Sequence, residues 1–427
     1  MTTLLRKTLD RALHAGGRRL ATLAPTSARY MISQSMFDCE TPAHPGLELK
    51  IADSVDELEA CFRILHDAYV TAGFMRPHPS GLRVTPYHAL PTTTTLCAKV
   101  DGVVVGTVSI VRDGAFGYPM QCAFELGQVR AAGGQVAEIS ALAVHRSQRP
   151  APARVLLPLM KFVYEYCTGH FDTRHLVIAV NPRHIGIYES LLQFRRLGDG
   201  VVDRYAFANG APAVGATLDL LQAPHLLERA WGSASGRRNL YRYFICDRLD
   251  AIRLAPRRYF TTNHPVMTAQ MLDHFFNRRT QLFASLGPAQ AQTLHAIYDH
   301  PAYADVLPRA SDRPTERRRR PRYTFRCPAA MRVSEPSLPG LVRLHITEVC
   351  GDEFRARSAL PLPTGLSGEL TVELGERVRS VVRARVLARR PGDPEGYRFE
   401  LREPDAAWRA CVAELGCSQT YADLAAN

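Results

Sequence analysis

An Asp-Gly pair at 101–102 stands between two β-branched runs, Thr94–Val100 and Val103–Val111. A two-residue turn needs positive φ at its centre, which Asp and Gly tolerate, so the pair predicts an antiparallel hairpin. Both runs are far short of the ~20 apolar residues that cross a bilayer. Upstream, Leu47, Leu49 and Ile51 alternate with polar residues as in a short strand. Asp53 or Ser54 caps a following helix on which Leu58, Phe62, Leu65 and Tyr69 share a face. Downstream come a strand at Val136–Val144, a helix at Val155–Cys167 and a short apolar run at Leu176–Val180, typical of a strand buried on both faces. Asn181-Pro182 opens a helix through Leu192, and Arg204–Ala208 and Gly215–Leu220 form a closing antiparallel pair. The order β-α-β-β-β-α-β-α-β-β predicts an α/β domain with a mixed sheet over residues 46–221.

The chain has 427 residues, enough for two or three domains. Residues 222–310 read as a helical extension, with helices at Leu226–Trp231, Leu240–Leu254 and Met267–Leu286. Ser311–Arg320 reads as a linker into a last domain over 311–427. There, short alternating segments at Leu341–Ile346, Glu353–Arg357, Gly368–Leu374, Val378–Leu387 and Gly396–Leu401 predict a small antiparallel β-barrel, closed by a helix around Asp405–Leu415. Residues 1–45 form a basic leader: a frayed, partly disordered segment, or an amphipathic helix over Leu4–Leu23 with weak membrane-surface or partner affinity.

With 46% apolar and 22% charged residues the chain is ordinary globular material. It starts without the long apolar core of a secretory signal. Its ten Cys are scattered singly, with no C-x-x-C pair or zinc-finger spacing. That pattern predicts reduced thiols in a cytoplasmic protein and no metal. The net charge of +12 is almost all Arg, since the lysines are Lys7, Lys50, Lys99 and Lys161 alone. The charge is spread out and no aromatics interleave it, so nucleic acid is not the expected partner. G-x-S-x-G, the Walker loop and H-E-x-x-H are all absent.

The strand Glu138-Ile139-Ser140-Ala141-Leu142-Ala143-Val144 is the most informative stretch. A carboxylate on a central strand is expensive unless paired or employed, so Glu138 is either a proton acceptor or a structural hydrogen-bond partner. Ser140 faces the same side as Glu138. The order of elements, this E-x-S-x-L-A-V strand and the Asn181-Pro182…Tyr188…Phe194 segment resemble the GNAT acyltransferase fold over residues 47–220. Within it they resemble the N-acyl amino acid synthases, which use long-chain acyl groups held on acyl carrier protein.

The resemblance implies that strands Val136–Val144 and Leu176–Val180 splay apart and admit a pantetheine arm in the gap. A backbone N–H near Ala143 or Val144 then polarises the thioester carbonyl. It implies Glu138 as the group that takes the amine proton and Tyr188 as the acid for the leaving thiolate, the other reading of Tyr188 being core packing. His184 is a further site candidate, or a helix-surface residue. The phosphate loop departs from the family: where CoA-dependent members carry glycines, this chain has Gln148-Arg149-Pro150-Ala151-Pro152-Ala153-Arg154. Prolines lack amide donors, so a backbone anion nest is weak and a carrier-protein thioester fits better than CoA. Arg146, Arg149 and Arg154 meet the carrier's phosphate or acidic surface, or are a solvated helix start.

The run Glu316-Arg317-Arg318-Arg319-Arg320-Pro321-Arg322 resembles the R-x-x-x-R opening of PilZ domains, with Arg318 and Arg322 at the matching spacing and Arg317 beside them. PilZ domains bind cyclic di-GMP, and guanidinium groups grip phosphate bidentately. The second half of the ligand motif is altered: His345, Thr347 and Gly351 stand where an Asp/Asn, a Ser and an earlier Gly are expected. The sequence therefore predicts an N-acyltransferase moving a long-chain acyl group from acyl carrier protein to an amino acid or similar amine. It has no tightly bound cofactor and carries a candidate cyclic di-GMP-responsive barrel. The alternatives are a non-catalytic GNAT-like module acting as a cyclic di-GMP effector or protein-interaction protein, and a CoA-dependent acetyltransferase.

Overall fold

The computed structural model describes residues 44, 46–148, 152–171, 173–234, 236, 239–254, 258–261, 266–298, 301–309, 323–390 and 395–416. The leader, Arg149, the linker Ser311–Arg320 and the candidate ligands Arg317, Arg318 and Arg322 lie outside the described residues.

The first half is an eight-stranded mixed sheet. Its strands are β1 (Leu47–Ile51), β2 (Thr93–Val100), β3 (Val103–Arg112), β4 (Gln135–Val144), β5 (Thr173–Val180), the two-residue β6 (Arg195–Arg196), β7 (Val202–Tyr205) and β8 (Ala211–Asp219). They lie in the order β1-β2-β3-β4-β5-β8-β6, with β7 paired to β8. The β2–β3 hairpin turns at Asp101 and Gly102, whose φ values of 51° and 81° meet the geometry the pair predicts. Helix α1 (Val55–Ala72) is capped by Ser54, whose side chain accepts from the Glu57 amide, and is ended by Gly73 at φ 76°. Helices α2 (Ala153–His170) and α3 (Ile185–Leu192) cover the opposite face.

Alternation of the strands sends Leu49, Leu96, Val108, Ile110, Ile139 and Ile178 toward α2, where Val155, Leu159, Phe162 and Tyr166 meet them. The other face packs Cys97 and Ala143 on Phe62 and Leu65 of α1. Residues 266–298 and 301–307 form an outer layer over α1. Here Phe275 and Phe276 are fully buried with Phe62 and Phe283, so they are core residues. Helix α4 (Ala223–Trp231) and Leu240 and Phe244 pack on α2 and α3. Lys161 of α2 is buried there, its ammonium donating to the carbonyls of Tyr243 at 2.7 Å and Phe244 at 3.3 Å and pairing with Glu165 at 3.1 Å.

The helix expected at Leu240–Leu254 is shorter. A π-helical turn at Arg242–Cys246 ends where Asp247 turns extended, at ψ 142°. The chain then lies parallel to β1, with the Leu49 amide donating to the Ala251 carbonyl and the Arg253 amide to the Leu49 carbonyl. An open strand edge with unmet N–H and C=O groups outcompetes the helical periodicity of this stretch. Met267–Leu286 is likewise broken, into Ala269–Leu272, a π-helix at Asp273–Arg279 and a 3₁₀ turn at Leu282–Ser285. Helix α5 (Pro288–Ile297) follows.

The last part is a closed six-stranded antiparallel barrel of order β10-β11-β14-β13-β12-β9. Its strands are β9 (Tyr323–Arg332), β10 (Leu341–Val349), β11 (Glu353–Arg357), β12 (Ser367–Gly375), β13 (Val378–Arg389) and β14 (Gly396–Arg402), with α6 (Ala406–Gly416) packed on it through Trp408 and Cys411. β9 and β12 pair only from Arg332–Glu369 to Ala329–Val372. Beyond that the strands are bridged by Phe260: its amide donates to the Leu374 carbonyl and its carbonyl accepts from the Arg326 amide. Gly375 admits this close approach, because a Cβ there would meet the Arg258 carbonyl oxygen at 1.9 Å.

Candidate active site

The parallel pairing of β4 with β5 runs only from Gln135–Thr173 to Glu138–Val177. β4 continues to Val144 against β3, while β5 continues to Val180 against β8. The two strands therefore part after Glu138. On the β3 side, the one residue between Thr107 and Ser109 faces the two between Ser140 and Ala143, and Ala141 has φ 56°. A bulge with a non-glycine residue in the left-handed region re-aims the strand at the point where it leaves β5.

Glu138 sits at the fork. It is 2% exposed, and Oε2 accepts from the Met120 amide at 2.8 Å. Burial pushes its carboxyl up to about 8, against a small opposing pull from that amide. The phenols of Tyr69, Tyr87, Tyr118 and Tyr205 lie within its electrostatic reach. Tyr118 is held by its hydroxyl, which donates to the Val136 carbonyl at 2.9 Å.

A narrow cleft beside Glu138 is lined by Ser140, Ala141, Ser109, His88, Arg83 and Phe207, among others. Ser140 lines this cleft, and Glu138 stands two residues before it on β4. Tyr188, on α3, stacks edge-on against Phe194 with centroids 5.8 Å apart. Burial raises its phenol to about 12, and Tyr69 is the neighbouring group that adds to the rise. Ala143 is buried against α1, and Val144 is half-buried.

His184 stands apart: it is exposed before α3 and lines a separate, wider cavity with Asn181, Pro182, Thr71 and Phe74. Arg146 and Arg154 are exposed on either side of the undescribed residues 149–151. In the barrel, His345 is exposed and Thr347 half-buried at a bulge between Ile346 and Glu348. Thr347 donates to the Arg355 carbonyl at 3.3 Å, and Gly351 is in the exposed turn that follows. No group of three or more His, Cys, Asp or Glu among the described residues is placed to hold a metal. No helix among them is long and apolar enough to cross a membrane.

Sequence reasoning missed Arg83 and His88. His88 is buried; its Nδ1 accepts from the Thr85 amide at 3.0 Å, which leaves the proton on Nε2, 3.5 Å from Ser109 Oγ. Burial drives its pKa down to about 3, so the ring is neutral at working pH. Both residues come from the loop before β2. The outer layer pins that loop: Tyr298 donates its hydroxyl to the Ala89 carbonyl at 2.6 Å and Arg279 donates to the Ser80 carbonyl at 3.3 Å.

Residues 60–219 match the model of the family described as FeeM, N-acyl amino acid synthase. A search of curated proteins finds no match. Among solved structures, the chain is similar to FeeM, an N-acyl amino acid synthase from uncultured soil microbes. The two share 27% identity, with 42% of this chain and 93% of that one covered and a TM-score of 0.37. It is also similar to BjaI, a CoA-dependent acyl-homoserine lactone synthase solved with SAM and isopentyl-CoA, at 22% identity. That match covers 48% of this chain and 97% of the other, with a TM-score of 0.33. An N-acetyltransferase from Staphylococcus aureus Mu50 matches at 18% identity, covering 41% and 98%, with a TM-score of 0.30. The matched stretch of this chain is an N-acyltransferase domain.

Proposed function

We propose, from an N-acyltransferase domain as premise, that this chain moves a long-chain acyl group from acyl carrier protein to the amine of an amino acid. The observation that carries the reading is the parting of β4 from β5 immediately after a buried, basic Glu138. The edge of β4 beyond Glu138 is free of β5, and an amide-bearing pantetheine arm is the strand mimic that fits such an edge.

In this reading the thioester carbonyl lies against the bulged stretch Ala141–Val144, where backbone N–H groups stabilise the oxyanion. The acceptor amine attacks, a C–N bond forms, and its proton passes to the Glu138 carboxylate. The C–S bond breaks, and Tyr188 supplies the proton that makes the thiolate a thiol. Ser140 orders the cleft wall beside Glu138. Arg146, Arg149 and Arg154 receive the acidic carrier and its phosphate. The support for a carrier donor is chemical: the stretch from Gln148 to Arg154 has no glycine and two prolines, poor material for a nucleotide pyrophosphate nest.

The barrel is read as a PilZ-like module that binds cyclic di-GMP through Arg317, Arg318 and Arg322, with His345, Thr347 and Gly351 at the strand end. Its support is the closed barrel that follows the Arg run and the exposure of His345 beside β11. The deciding experiment is turnover of the full chain with dodecanoyl-acyl carrier protein and a mixture of the twenty amino acids, read by mass spectrometry. An N-dodecanoyl amino acid is the expected product; hydrolysis alone, or no thioester consumption, overturns the reading.

A further inference from the structure

Arg83 is a charged group in the cleft that the transfer step above does not use. Its guanidinium stacks on the Tyr69 ring at 4.0 Å and faces the Phe207 ring at 5.0 Å. One nitrogen, Nη2, donates to the Phe207 carbonyl at 3.0 Å, Nη1 faces the Met75 sulfur at 4.0 Å, and the Tyr69 phenol is a further hydrogen-bonding neighbour of the guanidinium. No carboxylate among the described residues pairs with it. By contrast, Lys50 and Lys99 share Glu57 at 2.8 Å, and Lys161 has Glu165 and two carbonyls. A guanidinium held between two rings, half-buried and without an anion, is a preorganised fork for a planar carboxylate.

Its position relative to the base gives the fork a purpose. Tyr69 lies within reach of both the Arg83 and the Glu138 charges, and so does Tyr205. Arg83, Ser140 and Val111 line the same cleft, and Val111 is the β3 residue paired with Glu138 of β4. A small molecule whose carboxylate rests on Arg83 therefore presents a neighbouring amine toward Glu138.

We propose that Arg83 holds the carboxylate of the acceptor and is the residue that restricts this enzyme to amino acids over simple amines. The proposal rests on the acyl-transfer reading above and adds the group that selects the acceptor. It is a specificity residue: it binds substrate without taking part in proton transfer. The rings of Tyr69 and Phe207 keep the fork planar to the incoming carboxylate and exclude water from it.

The test is calorimetric and needs no turnover. The full chain is titrated with N-decanoylglycine and with N-ethyldecanamide, which replaces the carboxylate by a methyl group. The acid is expected to bind at least tenfold more tightly. Arg83→Gln should abolish the preference by weakening the acid alone, while Arg83→Lys, which keeps the charge and loses the fork, restores part of it. A merely structural Arg83 would affect both probes alike. Equal binding of the two probes by the unsubstituted chain, or a preference that survives in a folded Arg83→Gln variant, overturns the proposal and leaves the acyl site standing. Binding of neither probe overturns both readings.

Discussion

The Met120 amide donates to Glu138 Oε2 at 2.8 Å, and this hydrogen bond counters the pull of burial on the carboxyl. The balance leaves a group that is a stronger base than an ordinary glutamate yet still ionises in the neutral-to-alkaline range. Glu138→Gln keeps the shape and removes the acceptor. It should lower kcat by ~10²-fold or more, read as thiol release from the donor. Tyr188→Phe should cost less, since thiolate leaves readily unprotonated. A folded Gln variant with a near-normal rate returns Glu138 to a structural role.

The same carboxyl sets two pH dependences. The rate should rise as pH climbs through about 8, because the base must be ionised, and the rise should vanish in Glu138→Gln. Stability should move the other way. The folded state keeps its proton to a higher pH than the unfolded chain does, so Glu138 contributes its full share below pH about 4.5 and loses it as pH rises to about 8. Denaturant melts at pH 5 and pH 9 measure this; the loss, on the order of a few kcal/mol, should shrink in the Gln variant.

Donor choice follows from the prolines that replace glycine before α2. Dodecanoyl-acyl carrier protein should give a higher kcat/KM than dodecanoyl-CoA, by roughly tenfold or more, which corresponds to about 1.4 kcal/mol. Arg146→Glu should lower the carrier rate and leave the CoA rate nearly unchanged, since a rim charge acts on association. Equal rates with the two donors would show that another surface takes the pyrophosphate.

Cyclic di-GMP binding to the full chain should be weak, on the order of micromolar or poorer, because half of the ligand motif is altered. It should weaken with salt and be lost in Arg318→Ala and Arg322→Ala, each guanidinium contact being worth about 1.5–3 kcal/mol. Binding indifferent to both substitutions would make the barrel a protein-contact module.

Tyr298→Phe removes the hydroxyl that holds the Ala89 carbonyl. The variant should lose about 1–3 kcal/mol, since a buried carbonyl is left without its donor. Because Arg83 and His88 belong to the same loop, KM for the acceptor should rise with little change in KM for the donor.

Much of the frame was legible because it rests on local rules. Asp101-Gly102 dictates its own turn, the alternation of the barrel strands dictates one buried face, and Ser54 dictates the start of α1. Glu138 was legible because a carboxylate in an apolar strand conflicts with its surroundings. Arg83 and His88 were not: residues 76–91 have no periodicity, and their meaning comes from Tyr69, Phe207 and Ser109, which are remote in sequence or on another element. The false helix at 240–254 has the same origin. Its apolar residues are real, but the edge of β1, two hundred residues earlier, decides their conformation.

The strip from Leu249 to Thr261 lies along β1 at one end and closes the gap between β9 and β12 at the other. Only five residues separate Arg253 on the first from Tyr259 in the second. A chain severed in the Arg-rich linker would hence keep all six strands but open one end of the β9–β12 seam, with an adhesive edge at Leu374 and Arg326 where Phe260 belongs. A graft begun ahead of Arg258 would carry its own closure. The natural breakpoint for recombining this barrel with another protein lies some sixty residues before the linker, inside what looks like the territory of its neighbour. Any strain imposed on the barrel has a short covalent tether to the edge of the acyltransferase sheet.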